Sequence, residues 1–314
     1  MIINNKILEE YFSYLTVIKM RSPNTVAEFR IDLRLFFLFV FKRRKPSGNP
    51  ASDCSFADVK FIKSITLNDM YAFVAHLQKE RNCCVATCGR KIISIRQFWK
   101  YLKTKAHLIE NNIAEELEVP KQVKRIPKYL SLEDSIRLLM SMEESPRNYC
   151  IITLFLNCAL RLSELTDLDV EQVSSQSVTV IGKGQKQRQI YMTPAAKDAV
   201  NAWLVERSDY NPKDNALFIS KRGTRLTTRA IQLVIKKAVA KAGLSPDITP
   251  HKLRHTAATM LYKHGHVDIR ALKEILGHES LNTTQIYTHI DDQQLQTAVN
   301  TNPLAGIVNR KSRG

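Results

Sequence analysis

The chain has 314 residues, with 47 Lys and Arg against 30 Asp and Glu, a formal charge of +17 and a pI near 9.6. At 44% apolar and 25% charged residues, with few Gly and Pro, the composition is globular and excludes a disordered or fibrous chain. The length predicts two domains, each able to bury its own core, and the positive surplus points to a polyanion, either nucleic acid or an anionic membrane face. The densest apolar run, Leu35 to Phe41, is far shorter than the roughly 20 residues of a spanning helix. The N-terminal MIINNKILEEYF shows no secretory leader. No membrane partner is therefore expected, and the setting expected is the bacterial cytoplasm, where thiols stay reduced.

Residues 1–118 are predicted to be all helical. Ile3, Ile7, Leu8, Tyr11, Leu15 and Ile18 recur at helical spacing. Ser22 and Pro23 form a helix start, and that helix is predicted to run to about Phe41. Residues 42–56 read as a basic, turn-rich loop. Thr66 and Asp69 make a capping box that opens a helix to about Glu80. A further helix, from about Ala86 to Thr104, carries Ile92, Ile95, Phe98, Trp99 and Leu102. Basic and aromatic residues interleave in its IRQFWKYLK run. That pattern suits base stacking, but better suits a core stripe with a wet basic side. Cys83, Cys84 and Cys88 form CCxxxC with no second pair, so they read as small thiols and no metal site is expected.

Residues 119–130 hold two prolines and four basic side chains, among them Lys124 and Arg125, and read as a linker. The second domain, 131–314, is predicted to be mixed α/β but mainly helical. It starts with a helix capped by Ser131, continues through ITLFLNCAL, and then forms a strand pair, Ser177 to Ile181 and Lys186 to Met192, around a GKGQ turn. A helix opens at Pro194 and reaches Val205, residues 217–220 are a candidate third strand, and helices start at Thr228, Thr249 and Asp268. The fold class expected is thus mostly α, with an all-α first domain and a small antiparallel sheet in the second. The surplus charge divides as +7 over residues 1–120 and +10 over 121–314, as expected if both domains touch one polyanion.

The stretch TPHKLRHTAATMLYKHG places His251 and Arg254 one above the other on the first turns of a helix. A helix N-terminus with a guanidinium and an imidazole suits a phosphate. Alone, the same pair reads better as groups that merely cap or solvate the helix. It is accompanied by Arg161 in NCALRLSELTDL, Lys183 in the glycine-rich hairpin turn, and His278 followed nine residues later by Tyr287 in LGHESLNTTQIYTHI.

In order and spacing this set resembles the tyrosine recombinase, or phage integrase, family. ALRLSEL resembles the family's first-arginine motif, GKG its hairpin lysine, HKLRHTAAT its HxLRHT box, and LGHESLNTTQIYTHI its LGH…Y box. SPNTVAEFRIDLRLFFLF and ISIRQFWKYL resemble its core-binding domain, so the resemblance spans nearly the whole chain. It is nearest to the Xer type. The chain begins directly at the core-binding domain, and DDQQLQTAVNTNPLA resembles the C-terminal helix that Xer-like proteins pass to a neighbouring protomer.

The resemblance implies site-specific cutting and rejoining of double-stranded DNA through a 3′-phosphotyrosyl intermediate, by a homotetramer on two duplexes. A related second recombinase or an accessory factor is an allowed partner. The chemistry accounts for each residue type. Arg161 and Arg254 can hold non-bridging oxygens bidentately. Tyr287 is the nucleophile, and at a pKa near ~10 its hydroxyl needs help. Lys183 is the general acid for the leaving 5′-oxygen, and His251 and His278 serve proton movement and phosphoryl hydrogen bonding. Glu164 orients Arg161 or His251, or simply favours a helix start. Lys186 and Arg188 on the hairpin, with Lys124 and Arg125, are candidate phosphate contacts. The covalent link conserves the phosphodiester bond energy, so no ATP is needed; no Walker motif is present and no cofactor is expected. The rivals are a mobile-element integrase with the same chemistry, a monomeric topoisomerase, and a DNA-binding protein that has lost catalysis.

Overall fold

The computed structural model describes residues 5–120, 129–182, 187–265, 267–278, 280 and 284. The chain divides into two compact units, Met1–Lys124 and Arg125–Gly314.

In the first unit, helices are the only regular secondary structure among the described residues. Helix α1 (Lys6–Ser13) is capped by Asn5 and continues into a π-helical turn, Tyr14–Ile18. That turn breaks the simple helical register predicted for Ile3 to Ile18. Leu8, Tyr11 and Leu15 are buried, Ile18 is exposed, and Ile3 lies outside the described residues. Helix α2 (Pro23–Arg44) starts at Ser22, whose hydroxyl accepts from the Thr25 N–H, and runs a turn further than predicted, through the Lys42-Arg43-Arg44 end that suits a helix C-terminus. A short α3 (Val59–Ser64) leads to α4 (Leu67–Lys79), which opens with the Thr66–Asp69 capping box, and α5 (Val85–Thr104) follows.

Phe36 and Phe37 of α2, Phe73 of α4, and Phe98 and Trp99 of α5 are fully buried. Their rings meet mostly edge to face, Phe36 to Trp99 at 5.6 Å and Phe36 to Phe73 at 5.2 Å. The aromatic part of IRQFWKYLK is therefore largely core. One buried ionic link ties α2 to α5. Asp32 accepts two hydrogen bonds from Arg90, at 2.7 and 3.0 Å, and one each from Lys91 Nζ and Ser94 Oγ, at 2.7 and 2.8 Å. A buried carboxylate needs such partners to remain ionised without a large desolvation cost.

The second unit is built on α7 (Pro146–Cys158), whose residues from Cys150 to Phe155 are all buried. Around it lie α6 (Leu132–Met140), α9 (Pro194–Arg207), α10 (Thr228–Lys241) and α11 (Pro250–His264), with the short α8 (Leu162–Asp167) following α7. Strands β1 (Ser177–Ile181) and β2 (Gln187–Tyr191) pair antiparallel, with Val178 opposite Ile190 and Val180 opposite Arg188. These four residues share the face turned to the core, because side chains alternate along a strand. Residues 217–220 are no third strand: among the described residues the sheet has two strands, and this segment contributes only an isolated bridge, Ile219 to Arg225. It is instead buried behind α9, where the Leu217 carbonyl accepts from Trp203 Nε1 at 2.7 Å. The last described helix, α12 (Ile269–Leu276), packs Leu272 and Leu276 against Ala257 and Ala258 of α11. No helix among the described residues is long and apolar enough to cross a membrane.

Candidate active site

Four separate segments deliver the charged side chains. Helix α7 stops at Ala159, whose left-handed φ of 50° turns the chain so that Arg161 stands extended at the start of α8. Three residues on, Glu164 folds back and accepts from the Arg161 N–H at 2.8 Å, the carboxylate half of a capping box. Thr249 caps α11 and Pro250 occupies its first turn, which sets Arg254 one turn inside on the buried side. Strand β2 contributes Arg188. Helix α12 ends at Gly277, with a left-handed φ of 60°, and His278 follows at once.

These segments converge on the C-terminal end of α12. A helix leaves its last carbonyls without helical partners. Here the Lys273 and Glu274 carbonyls accept from the His278 and Gly277 N–H groups, at 3.1 and 3.0 Å. The next three carbonyls each accept from a different arginine. Arg188 Nε donates to Ile275 at 3.0 Å, Arg254 Nη2 to Leu276 at 2.5 Å, and Arg161 Nη2 to Gly277 at 2.8 Å. The negative end of the helix dipole favours the three cations. Arg254 Nη1 also donates to the Ala159 carbonyl at 2.6 Å, which ties α11 to the end of α7.

Glu164 sits among these guanidiniums with its side chain 2% exposed. Arg188 donates to it through Nη1 and Nη2 at 2.7 and 2.9 Å, Arg161 through Nη1 at 2.6 Å, and Arg254 Nη1 lies 3.6 Å away. Burial alone would raise its pKa. The hydrogen bonds from Arg188 and from the Arg161 N–H, with the charges behind them, prevail and hold the carboxyl down at about 2. His278 shows the opposite side of the same field. Burial first, then the positive charges of Arg254, Arg161, Arg188 and His251, push its pKa down to about 4, so it is neutral at pH 7. Its Nδ1 lies 3.0 Å from the hydroxyl of the buried Thr284.

The structure therefore brings together Arg161, Glu164, Arg188, Arg254 and His278, while His251 stands exposed on the first turn of α11. Three guanidiniums face one carboxylate, which leaves a surplus of positive charge. Arg161 is the arginine of the three that opens most to solvent, at 34% side-chain exposure against 13% for Arg188 and 5% for Arg254. Such a site takes an anion with several acceptor oxygens. Arg188, a candidate phosphate contact in the sequence, directs its guanidinium inward onto Glu164 and Ile275. The alternation that buries Ile190 also turns Arg188 inward, and that signal was readable in QRQIY. The three carbonyls at the α12 end carried no signal, because backbone acceptors are not written in side-chain identity, and Thr284 stood unremarked inside the LGH…Y box. His255 is buried in the second unit, its ring 6.4 Å from that of Tyr129. Among the described residues no group of His, Cys, Asp or Glu is placed to hold a metal ion. Lys124, Arg125, Lys183, Lys186 and Tyr287 lie outside the described residues.

Comparison with known proteins identifies the family. Residues 128–294, just over half the chain, match the phage integrase family. The tyrosine recombinase XerC of Caldanaerobacter subterraneus subsp. tengcongensis is 45% identical over 307 residues, covering 95% of this chain and 87% of the relative. Among solved structures, the XerH site-specific recombinase bound to a palindromic difH substrate, in a post-cleavage complex, shares the fold. Its TM-score is 0.70 at 21% identity, over 94% of both chains. A lambda integrase tetramer bound to a Holliday junction shares it at a TM-score of 0.65 and 15% identity, over 87% of this chain and 76% of the other. The chain belongs to the phage integrase family and is a tyrosine-type site-specific recombinase of the Xer kind.

Proposed function

We propose that the α12 arginine cluster is the scissile-phosphate site of a DNA strand exchange, and the observation that carries it is the seating of Arg161 and Arg254 on adjacent carbonyls, Gly277 and Leu276. Two guanidiniums held side by side can share one phosphodiester, and charge grows on its non-bridging oxygens as a nucleophile adds. Tyr287 Oη attacks phosphorus and the P–O5′ bond breaks. Lys183 gives its proton to the departing 5′-oxygen, and His251 receives the phenolic proton. The product is a 3′-phosphotyrosyl link and a free 5′-hydroxyl, and attack by a new 5′-hydroxyl reverses the step on another strand. Neutral His278, its Nδ1 accepting from Thr284, keeps an Nε2–H to donate to a phosphoryl oxygen. Glu164 orients Arg161.

Residues 1–118 are the core-binding domain in this reading, 119–130 the linker and 131–314 the catalytic domain. Both domains are basic, so they close on one duplex, with Lys124, Arg125 and Lys186 on phosphates. The working unit is a homotetramer on two duplexes, a reading supported by the lambda integrase tetramer bound to a Holliday junction, and it acts in the bacterial cytoplasm.

The test is a nicked duplex carrying a site selected by the protein from a random pool. Wild type leaves a covalent adduct that survives denaturation, and Tyr287→Phe binds but leaves none. An equal adduct from Tyr287→Phe would show that another residue attacks. Arg161→Ala loses orders of magnitude in cleavage with little change in affinity, since its largest contribution comes in the transition state.

A further inference from the structure

We propose that Arg188 is a positioning residue for strand cleavage: it fixes the Glu164 carboxylate and the last turn of α12 so that Arg161 and Arg254 stand together at one phosphate. This inference rests on the recombinase reading above and assigns Arg188 a part other than a DNA contact.

Its placement argues against a phosphate partner. Arg188 shares the inward face of the β hairpin with Ile190, and its side chain is only 13% exposed. The guanidinium donates in three directions at once, to both Glu164 oxygens and to the Ile275 carbonyl. It thereby clamps α8 and α12 to β2. A planar fork can do this, whereas an ammonium, with one nitrogen, can satisfy a single direction well.

The close approach at Gly277 supports the same assignment. A Cβ built there would lie 2.9 Å from Arg188 Nη1 and 3.1 Å from its Cδ and Cζ. The glycine thus serves two purposes, the left-handed φ that ends α12 and the room for Arg188 to pass beneath it. The two arginines proposed to hold the phosphate depend on both ends of the clamp. Arg161 bonds Glu164 and Gly277, and Arg254 bonds Leu276 between the two carbonyls taken by Arg188 and Arg161. Loss of Arg188 frees Glu164 to rotate and the α12 end to shift, with no change in any group that touches DNA.

The experiment measures duplex affinity, its salt slope and the rate of adduct formation at saturating protein, on the nicked duplex described above. Arg188→Gln is expected to keep wild-type affinity and salt slope while the saturated rate falls about a hundredfold, the size of effect that a displacement of about 1 Å produces. Arg188→Lys is expected to recover part of that rate, since one of the three directions is restored. A saturated rate within about threefold of wild type overturns the proposal. So does a salt slope reduced by about one with an unchanged saturated rate, which is the mark of a lost phosphate contact. If Arg188→Gln does not fold, Arg188→Lys decides by the same measurements. No adduct from wild type itself would remove the recombinase reading and this inference together, whereas a wild-type adduct with an unaffected Arg188→Gln removes only the inference.

Discussion

Glu164→Gln isolates what the buried carboxylate contributes to the second unit. The substitution preserves shape and removes the charge that three guanidiniums surround. The carboxyl is held at about 2 against an ordinary 4.5, and at ~1.4 kcal/mol per pH unit that difference corresponds to about 3 kcal/mol of folding stability at neutral pH. Leaving Arg188 buried without its partner works in the same direction and falls in the same range. Arg161, one-third exposed, can turn to water and limits the loss. The assay is urea unfolding followed by Trp203, which reports the second unit alone once Trp99 of the first is replaced by Phe. Because the folded value is depressed, the carboxylate's contribution is complete above pH 4.5 and is lost as pH falls towards 2. The gap between wild type and variant is therefore constant from pH 7 to about 4.5 and closes below that. A gap under about 1 kcal/mol at pH 7, or one that closes between pH 7 and 5, would refute the account of Glu164 as the anionic centre of the cluster.

Gly277→Ala forces a side chain into a left-handed position and against Arg188, and about 2 kcal/mol of destabilisation with a slowed adduct is expected; a neutral result would show that the α12 end has slack. Asp32→Asn leaves Arg90 and Lys91 without their shared carboxylate, so the first unit should lose about 3 kcal/mol while the second is unchanged, as read from Trp99 and Trp203 in single-tryptophan variants. His278 should titrate near pH 4 in the free protein, and its depressed value means that stability declines as pH falls from 6.5 towards 4, since the unfolded chain takes the proton first. Imidazole proton NMR would follow this directly. A bound duplex should raise the midpoint by offsetting the arginines, and a midpoint at or above 6.5 without DNA contradicts the structure of the cluster.

Helix starts were legible because their chemistry is local. Ser22, Thr66, Ser131 and Thr249 each accept a hydrogen bond from a backbone N–H three residues on, as their sequence contexts predict. Helix continuations were less so. Nothing in YLTVI announces a π-helical turn, and 217–220 has the composition of a strand but is buried behind α9 with no ladder partner. At the site, the motifs singled out Arg161, Glu164, Arg254 and His278, and the structure brings these four together. Arg188 was taken for a phosphate contact because charge alone was read. The two-residue period of β2 would have placed it inward, and a buried arginine requires a buried acid. Glu164, one turn past Arg161, is the motif acid that meets it. The carbonyls that seat the three arginines were out of reach of any reading of side chains.

The cluster also explains why a site made of like charges can form before DNA arrives. Three guanidiniums repel one another, and one carboxylate offsets only part of that. The rest falls to the end of α12, whose three partnerless carbonyls supply oriented partial negative charge without adding an ionisable group. A second carboxylate in their place would neutralise the site and compete with a phosphate for Arg161 and Arg254. Carbonyls hold the arginines in register yet leave the net charge positive, so the cluster is assembled but electrostatically incomplete. An anion that completes it binds the folded unit and not the unfolded chain, so phosphate binding and stability of the second unit are linked. Of the 17 surplus charges, those at this helix end are set apart by their partners: the backbone fixes their directions, and in the proposed reading a phosphate supplies the charge they lack.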